Sequence, residues 1–102
     1  MLFHITTRDA WQRAVGLGEY TADSLACDGF IHLSTETQWS GVRDRFYRDV
    51  PDLVLLVIDP ERVRAEIRYE RADGDDFPHL YGALDIGAVV EVREMTPAGE
   101  EV

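Results

Sequence analysis

One pattern occurs twice in this chain. Leu2-Phe3-His4-Ile5-Thr6-Thr7 and Phe30-Ile31-His32-Leu33-Ser34-Thr35 agree in chemical type at every position, and a tryptophan, Trp11 or Trp39, stands seven residues past each histidine. A short run of aromatic and β-branched residues predicts a strand in each copy, followed by a helix anchored on its tryptophan. Successive side chains of a strand point to opposite faces, so His4 shares a face with Thr6, and His32 with Ser34. The two strands are expected to be neighbours, with both imidazoles opening into one cleft. Taken singly, either strand is equally consistent with a core histidine satisfied by backbone.

The rest of the chain divides around these copies. Thr7 is the expected N-cap of a helix with Trp11, Ala14 and Val15 as its buried stripe, ended by Gly16 and Gly18. Residues 20–25 read as either loop or short edge strand, and Asp28-Gly29 as the turn into a strand over 30–34. Thr35 and Gln38 have capping-box spacing, and Trp39, Val42 and Phe46 fall on one face of a second helix, which Pro51-Asp52 ends. The apolar run Leu53 to Ile58 predicts a strand covered on both sides, closed by Asp59-Pro60. Ala65 to Glu70 alternates as a half-buried strand, Arg71 to Asp76 reads as an acidic loop, and Phe77-Pro78-His79-Leu80-Tyr81-Gly82 as a compact turn or single helical turn. Ile86 to Met95 is the expected closing strand, with Val90 and Val92 on one face. These elements predict an α+β domain over residues 1–102, with a frayed tail from 96 to 102.

Charge narrows the function. Twenty acidic residues against ten basic ones give a net charge of -10, which repels polyanions and argues against non-specific nucleic-acid or anionic-membrane binding. Every basic residue is arginine, so a small anionic ligand on local guanidinium groups stays compatible with the composition. The lone Cys27 excludes an internal disulfide and lies beside Asp28, whose charge disfavours a thiolate. With no apolar run of about 20 residues and no signal-like N-terminus, the chain reads as cytoplasmic. His4, His32 and His79 lack metal-ligand spacing, so no metal is expected. Arg43, Arg45 and Arg48 do not share one helical face and read as a solvated surface. Gly16-Leu17-Gly18 lacks the strand and helix of a dinucleotide fingerprint.

The duplicated His-x-Thr and His-x-Ser is similar to the paired motifs of two-histidine phosphoesterases, in which one imidazole acts as base, the other as acid, and the hydroxyls hold phosphate. That gives one reading, a cyclic-phosphate hydrolase built on His4 and His32. A non-catalytic small-ligand-binding module is another.

A broader resemblance covers nearly the whole chain. Phe3-His4-Ile5-Thr6 with Trp11, Gly29-Phe30-Ile31-His32-Leu33-Ser34, Gln38, the Leu53 to Asp59 segment and Phe77-Pro78-His79-Leu80-Tyr81-Gly82 together resemble the bacterial family called domain of unknown function 952. The resemblance implies an ADP-ribosyltransferase-like fold, a small split β-structure with two early helices packed outside and a cleft shaped for nicotinamide-ribose. It implies NAD or a related nucleotide as ligand, with ADP-ribosyl- or phosphotransferase-like chemistry. His4 matches the first-strand histidine that holds ribose in such enzymes, and His32 with Ser34 the second-strand motif. Their late glutamate has no clear counterpart here: Glu91 and Glu94 are available, while His79 and Tyr81 are better marked. The expected site therefore comprises His4, His32 and His79 as catalytic groups and Thr6, Ser34 and Tyr81 as ligand-binding groups.

Overall fold

The computed structural model describes residues 1–95, so the expected frayed tail lies outside the described residues. In chain order the elements are β1 (Leu2–Thr7), α1 (Arg8–Leu17), β2 (Glu19–Tyr20), α2 (Asp23–Asp28), β3 (Ile31–His32), α3 (Trp39–Phe46), β4 (Leu53–Ile58), β5 (Glu66–Ala72), β6 (Asp75–Tyr81), β7 (Leu84–Asp85) and β8 (Val89–Glu94). Single 3-10 turns occur at Pro60–Arg62 and Ile86–Ala88. The architecture is α+β, as expected, with three helices in place of two and every strand pair antiparallel. No helix among the described residues is long and apolar enough to cross a membrane.

The strands form two three-stranded sheets, β1-β4-β8 and β3-β6-β5, and a small β2-β7 pair. An isolated bridge between Phe3 and Ser34 stitches the two larger sheets together, with Phe3 N–H donating to Ser34 O at 2.8 Å and Ser34 N–H to Phe3 O at 2.7 Å. Continued in register, the next pair would be Ile5 with His32, but no backbone hydrogen bond joins them among the described residues. The sheet splits at this point.

β4 sits between β1 and β8 and is buried at all six positions, as its unbroken apolar run requires. Its alternate residues feed two cores. Leu2, Ile31, Leu33, Val54, Leu56, Ile58, Leu80 and Leu84 form one, covered by Ala10, Trp11 and Ala14 of α1; Phe3, Ile5, Leu53, Leu55 and Val57 form the other, covered by Trp39 and Val42 of α3. The near-repeat thus places one tryptophan helix on each side of the sheet.

The expected caps Thr7 and Gly18 bound α1, whereas Gly16, expected to help end it, lies within the helix. Thr7 Oγ1 accepts from Ala10 N–H at 3.1 Å, and Gly18 closes α1 in the left-handed region at φ 88°. Thr35 N–H donates to Gln38 Oε1 at 2.9 Å, one half of a capping box, although the regular helix begins only at Trp39. Val15 and Phe46 are exposed, so α1 and α3 bury a narrower stripe than the periodicity suggests.

Four local expectations are corrected. Residues 23–28 are a helical turn and a half, and Asp28-Gly29 is the helix C-cap, Gly29 having φ 86°. Residues 71–76 are no loop but a tight hairpin whose turn residues Asp73 and Gly74 both have positive φ, 50° and 85°, as a type I′ turn requires. Residues 77–81 of the segment 77–82 belong to a central strand, with β6 pairing both β3 and β5 and Gly82 just beyond it. Pro78 survives there because its N and O face β3 where regular pairing ends; its carbonyl still accepts from Leu33 N–H at 3.0 Å. Finally, the closing strand starts at Val89 rather than Ile86, after β7 and a 3-10 turn, and Val90 and Val92 are solvent-exposed on this edge strand.

Leu56 is fully buried opposite His4, so Leu56→Ala should cost 2–5 kcal/mol in urea unfolding, whereas Val15→Ala on the exposed side of α1 should stay within about 0.5 kcal/mol.

Candidate functional site

The split in the sheet is closed by a side chain. His4 Nδ1 lies 2.6 Å from the carbonyl oxygen of His32, the carbonyl that would have bonded Ile5 had the strands stayed together. A carbonyl can only accept, so Nδ1 carries the proton and Nε2 presents a lone pair. Nε2 is 2.8 Å from the Tyr20 hydroxyl, which must then donate to it, and Thr6 Oγ1 lies 3.0 Å from the same hydroxyl. The chain of bonds is complete from Thr6 to His32 with His4 neutral. Burial is the main cause that pushes its imidazole down to about 4, opposed by the His32 carbonyl and helped by the neighbouring His32 ring.

On the α3 side of the split lies a cleft of about 430 Å³, bordered by His4, His32, Ser34 and His79 together with Phe46, Tyr47 and Phe77. Its outer wall is the β5–β6 hairpin, tied to the start of α3 by Gln38 Nε2, which donates to Asp75 Oδ2 at 3.0 Å and to Asp76 O at 2.8 Å. His4, His32 and His79 all border this cleft, but the expectation that both imidazoles open from one face is corrected: the Phe3–Ser34 register levels His32 with Ile5 on the α3 side, whereas His4 lies opposite Leu56 on the α1 side. Their states differ, however. His4 has both nitrogens engaged, and its ring packs edge-on against Tyr20. His32 is exposed, with Nε2 3.3 Å from Asp28 Oδ2. It stands directly across from His79 in the β3–β6 register, with ring centroids 5.4 Å apart.

His79 is the distinctive group. It is only 4% exposed, its ring stacks on Phe30 at 4.0 Å, and Nδ1 lies 2.9 Å from Glu70 Oε1. The Tyr81 hydroxyl donates to the same oxygen, and these two bonds, Tyr81 first, hold the Glu70 carboxyl below its usual range. An ionised carboxylate accepts, so Nδ1 is a protonated nitrogen, and in the neutral ring Nε2 bears the lone pair. Nε2 is the one buried side-chain polar atom among the described residues with no hydrogen-bond partner. Such an atom costs about 1–3 kcal/mol unless something binds it.

Two expected ligand groups sit elsewhere. Thr6 lines a second cleft, of about 580 Å³, between α1 and β2, and its hydroxyl is spent on Tyr20. Tyr81 borders neither cleft but supports Glu70, while Arg68 stacks over its ring at 4.5 Å. Glu91 and Glu94 lie on the exposed edge strand β8, Glu91 paired with Arg93 and Glu94 with Arg8. Glu70 is the functional candidate that sequence reasoning missed. Among the described residues no group of three or more His, Cys, Asp or Glu side chains converges to hold a metal ion.

Because unfolding returns His4 to an ordinary value of 6.5, the unfolded chain takes up a proton below that pH which the folded chain refuses. The stability contributed by neutral His4 is complete above pH 6.5 and is lost as pH falls through about 4, about 3 kcal/mol in all. Urea unfolding at pH 7 and pH 4.5 should show a larger loss for the wild type than for the non-titrating His4→Asn; carboxylate titration is common to both chains.

Comparison with known proteins agrees with this geometry at the level of the fold. The crystal structure of protein CC0527 from Caulobacter crescentus superposes with a TM-score of 0.85 at 29% identity, covering 93% of this chain and 85% of that one. Its solution structure gives a TM-score of 0.73 over 92% and 83%. A stretch of 70 residues, 65% of the chain, is 33% identical to small ribosomal subunit protein bS1 of Coxiella burnetii, of which it spans only 13%. The model of the family described as "protein of unknown function (DUF952)" matches residues 5–92, and the chain belongs to that family.

Proposed function

We propose that this protein binds a small uncharged organic ligand in the cleft between α3 and the β5–β6 hairpin, and that His79 takes a proton there as general base. The observation that carries this reading is the unpartnered, buried Nε2 of an imidazole whose other nitrogen is fixed by a carboxylate. That arrangement sets the tautomer before any ligand arrives and leaves a lone pair directed away from Glu70, the requirement for base catalysis by histidine. The cleft walls are otherwise mainly apolar, from Ile5, Leu33, Val42, Phe46 and Phe77, which suits the desolvated body of a small ligand.

Whole NAD fits these residues poorly. Its diphosphate needs cations, yet no arginine borders the cleft, and Asp73, which does, already pairs with Arg45 at 3.6 Å. An ADP-ribosyltransferase-like reading of the fold is therefore best served by the uncharged part of such a molecule, a nucleoside or a nicotinamide ring, with an N–H or O–H donor for Nε2. The two-histidine hydrolase reading loses its acid–base pair, because His4 has no free nitrogen.

Thermal unfolding with adenosine or nicotinamide, beside NAD and 2′,3′-cyclic AMP, tests the reading. An uncharged probe at about 100 times its Kd should add about 2.7 kcal/mol of stability. His79→Phe, which keeps the ring stack and removes the acceptor, should abolish that gain. Stabilisation by NAD alone would overturn the reading in favour of the dinucleotide.

A further inference from the structure

One polar group of the cleft is not used by the base itself. Ser34 is 6% exposed, and no hydrogen bond to its hydroxyl is found among the described residues. Unlike His79 Nε2, that oxygen is not sealed from the surroundings, and Ser34 borders the same cleft. The backbone explains why the two groups converge. His32 pairs with His79, and Leu33 N–H bonds Pro78 O, so the continued register sets Ser34 opposite Phe77 and diagonal to His79 on one face. Diagonal cross-strand neighbours are about 7–8 Å apart, a span that an imidazole bridges. His32, two residues before Ser34, projects from that same face and lines the cleft between them.

We infer that Ser34 is a nucleophile activated by His79, with Glu70 as the positioning residue that holds the imidazole, and that the cleft performs acyl transfer from an uncharged ester. This rests on the assignment of His79 as base and names where its proton comes from. Ser34 Oγ forms a bond to the ester carbonyl carbon while Nε2 takes the hydroxyl proton, and the carbonyl π electrons move onto oxygen. When the tetrahedral species collapses, the carbon–alkoxide bond breaks and the leaving oxygen takes the proton back from Nε2. Water, deprotonated by the same nitrogen, then releases the acid and restores Ser34. No cofactor or oxidant enters the balance. The apolar walls receive the acyl chain, and the lack of arginine along the cleft matches a substrate without phosphate or carboxylate. In this structure Ser34 and His79 are not hydrogen-bonded to each other, and such bonds commonly tighten only when substrate is present.

The test uses a fluorophosphonate probe, read by intact mass and peptide mapping, and p-nitrophenyl butyrate turnover. The inference predicts one label on Ser34, none in Ser34→Ala, and labelling and turnover reduced about 100-fold or more in His79→Gln. Glu70→Gln should lower turnover and move its pH profile, which a merely structural Glu70 would not do. Circular dichroism of each variant separates loss of chemistry from loss of fold. A wild-type protein that remains unlabelled, or that is labelled equally with and without His79, overturns the inference. Binding of adenosine or nicotinamide does not need the Ser34 hydroxyl, so a thermal shift that persists in a wild-type protein left unlabelled would keep the base assignment standing while the nucleophile falls.

Discussion

Everything distinctive in this fold depends on one hydrogen bond, from His4 Nδ1–H to the carbonyl of His32. A sheet that splits leaves backbone groups without partners, and each buried orphan costs about as much as a lost hydrogen bond. Here the imidazole enters the gap and takes the carbonyl that the parting strands leave behind. Its second nitrogen is anchored by Tyr20 and Thr6, which tie β1 to β2. His4, Ile5, His32 and Tyr47 border both clefts, so the clamp is also the partition between them.

The split gives the opposite side of β3 its freedom. Released from β1 beyond the Phe3–Ser34 bridge, the strand carries His32 and Ser34 along the cleft and sets His32 against His79. The remaining order comes from the hairpin. Its tight Asp73-Gly74 turn aligns Arg68 with His79 and Glu70 with Phe77, so Glu70 stands diagonal to His79 on the same face and reaches Nδ1. Gly82 then lets the chain pass close to Ala65, where a Cβ on residue 82 would lie 2.7 Å from the Ala65 Cβ. An imidazole with one nitrogen fixed by Glu70 and the other buried and unpartnered results from these backbone decisions.

Much of this was legible in the residues, and the failures have physical causes. The near-repeat anticipated two tryptophan helices, and the apolar run 53–58 a doubly covered β4, because periodicity and caps report local structure directly. It could not say that His4 would be consumed internally, since that depends on where β1 and β3 part. Glu70 was missed because residues 71–76 read as an acidic loop. Yet Asp73-Gly74 is the dipeptide that type I′ turns favour, and counting outward from it pairs 72 with 75, 70 with 77 and 68 with 79. Pro78 hid β6 for the opposite reason: proline argues against a central strand, and only the early end of β3 makes it harmless.

The clamp can be observed directly at the His4 ring. Nitrogen-15 chemical shifts of labelled histidine, followed from pH 8 to pH 3, report both tautomer and titration. The account predicts a neutral His4 with its proton on Nδ1 that titrates near pH 4. A His4 protonated on Nε2, or one that titrates near 6.5, would contradict it, for then neither the His32 carbonyl nor the split that it marks would be held in this way.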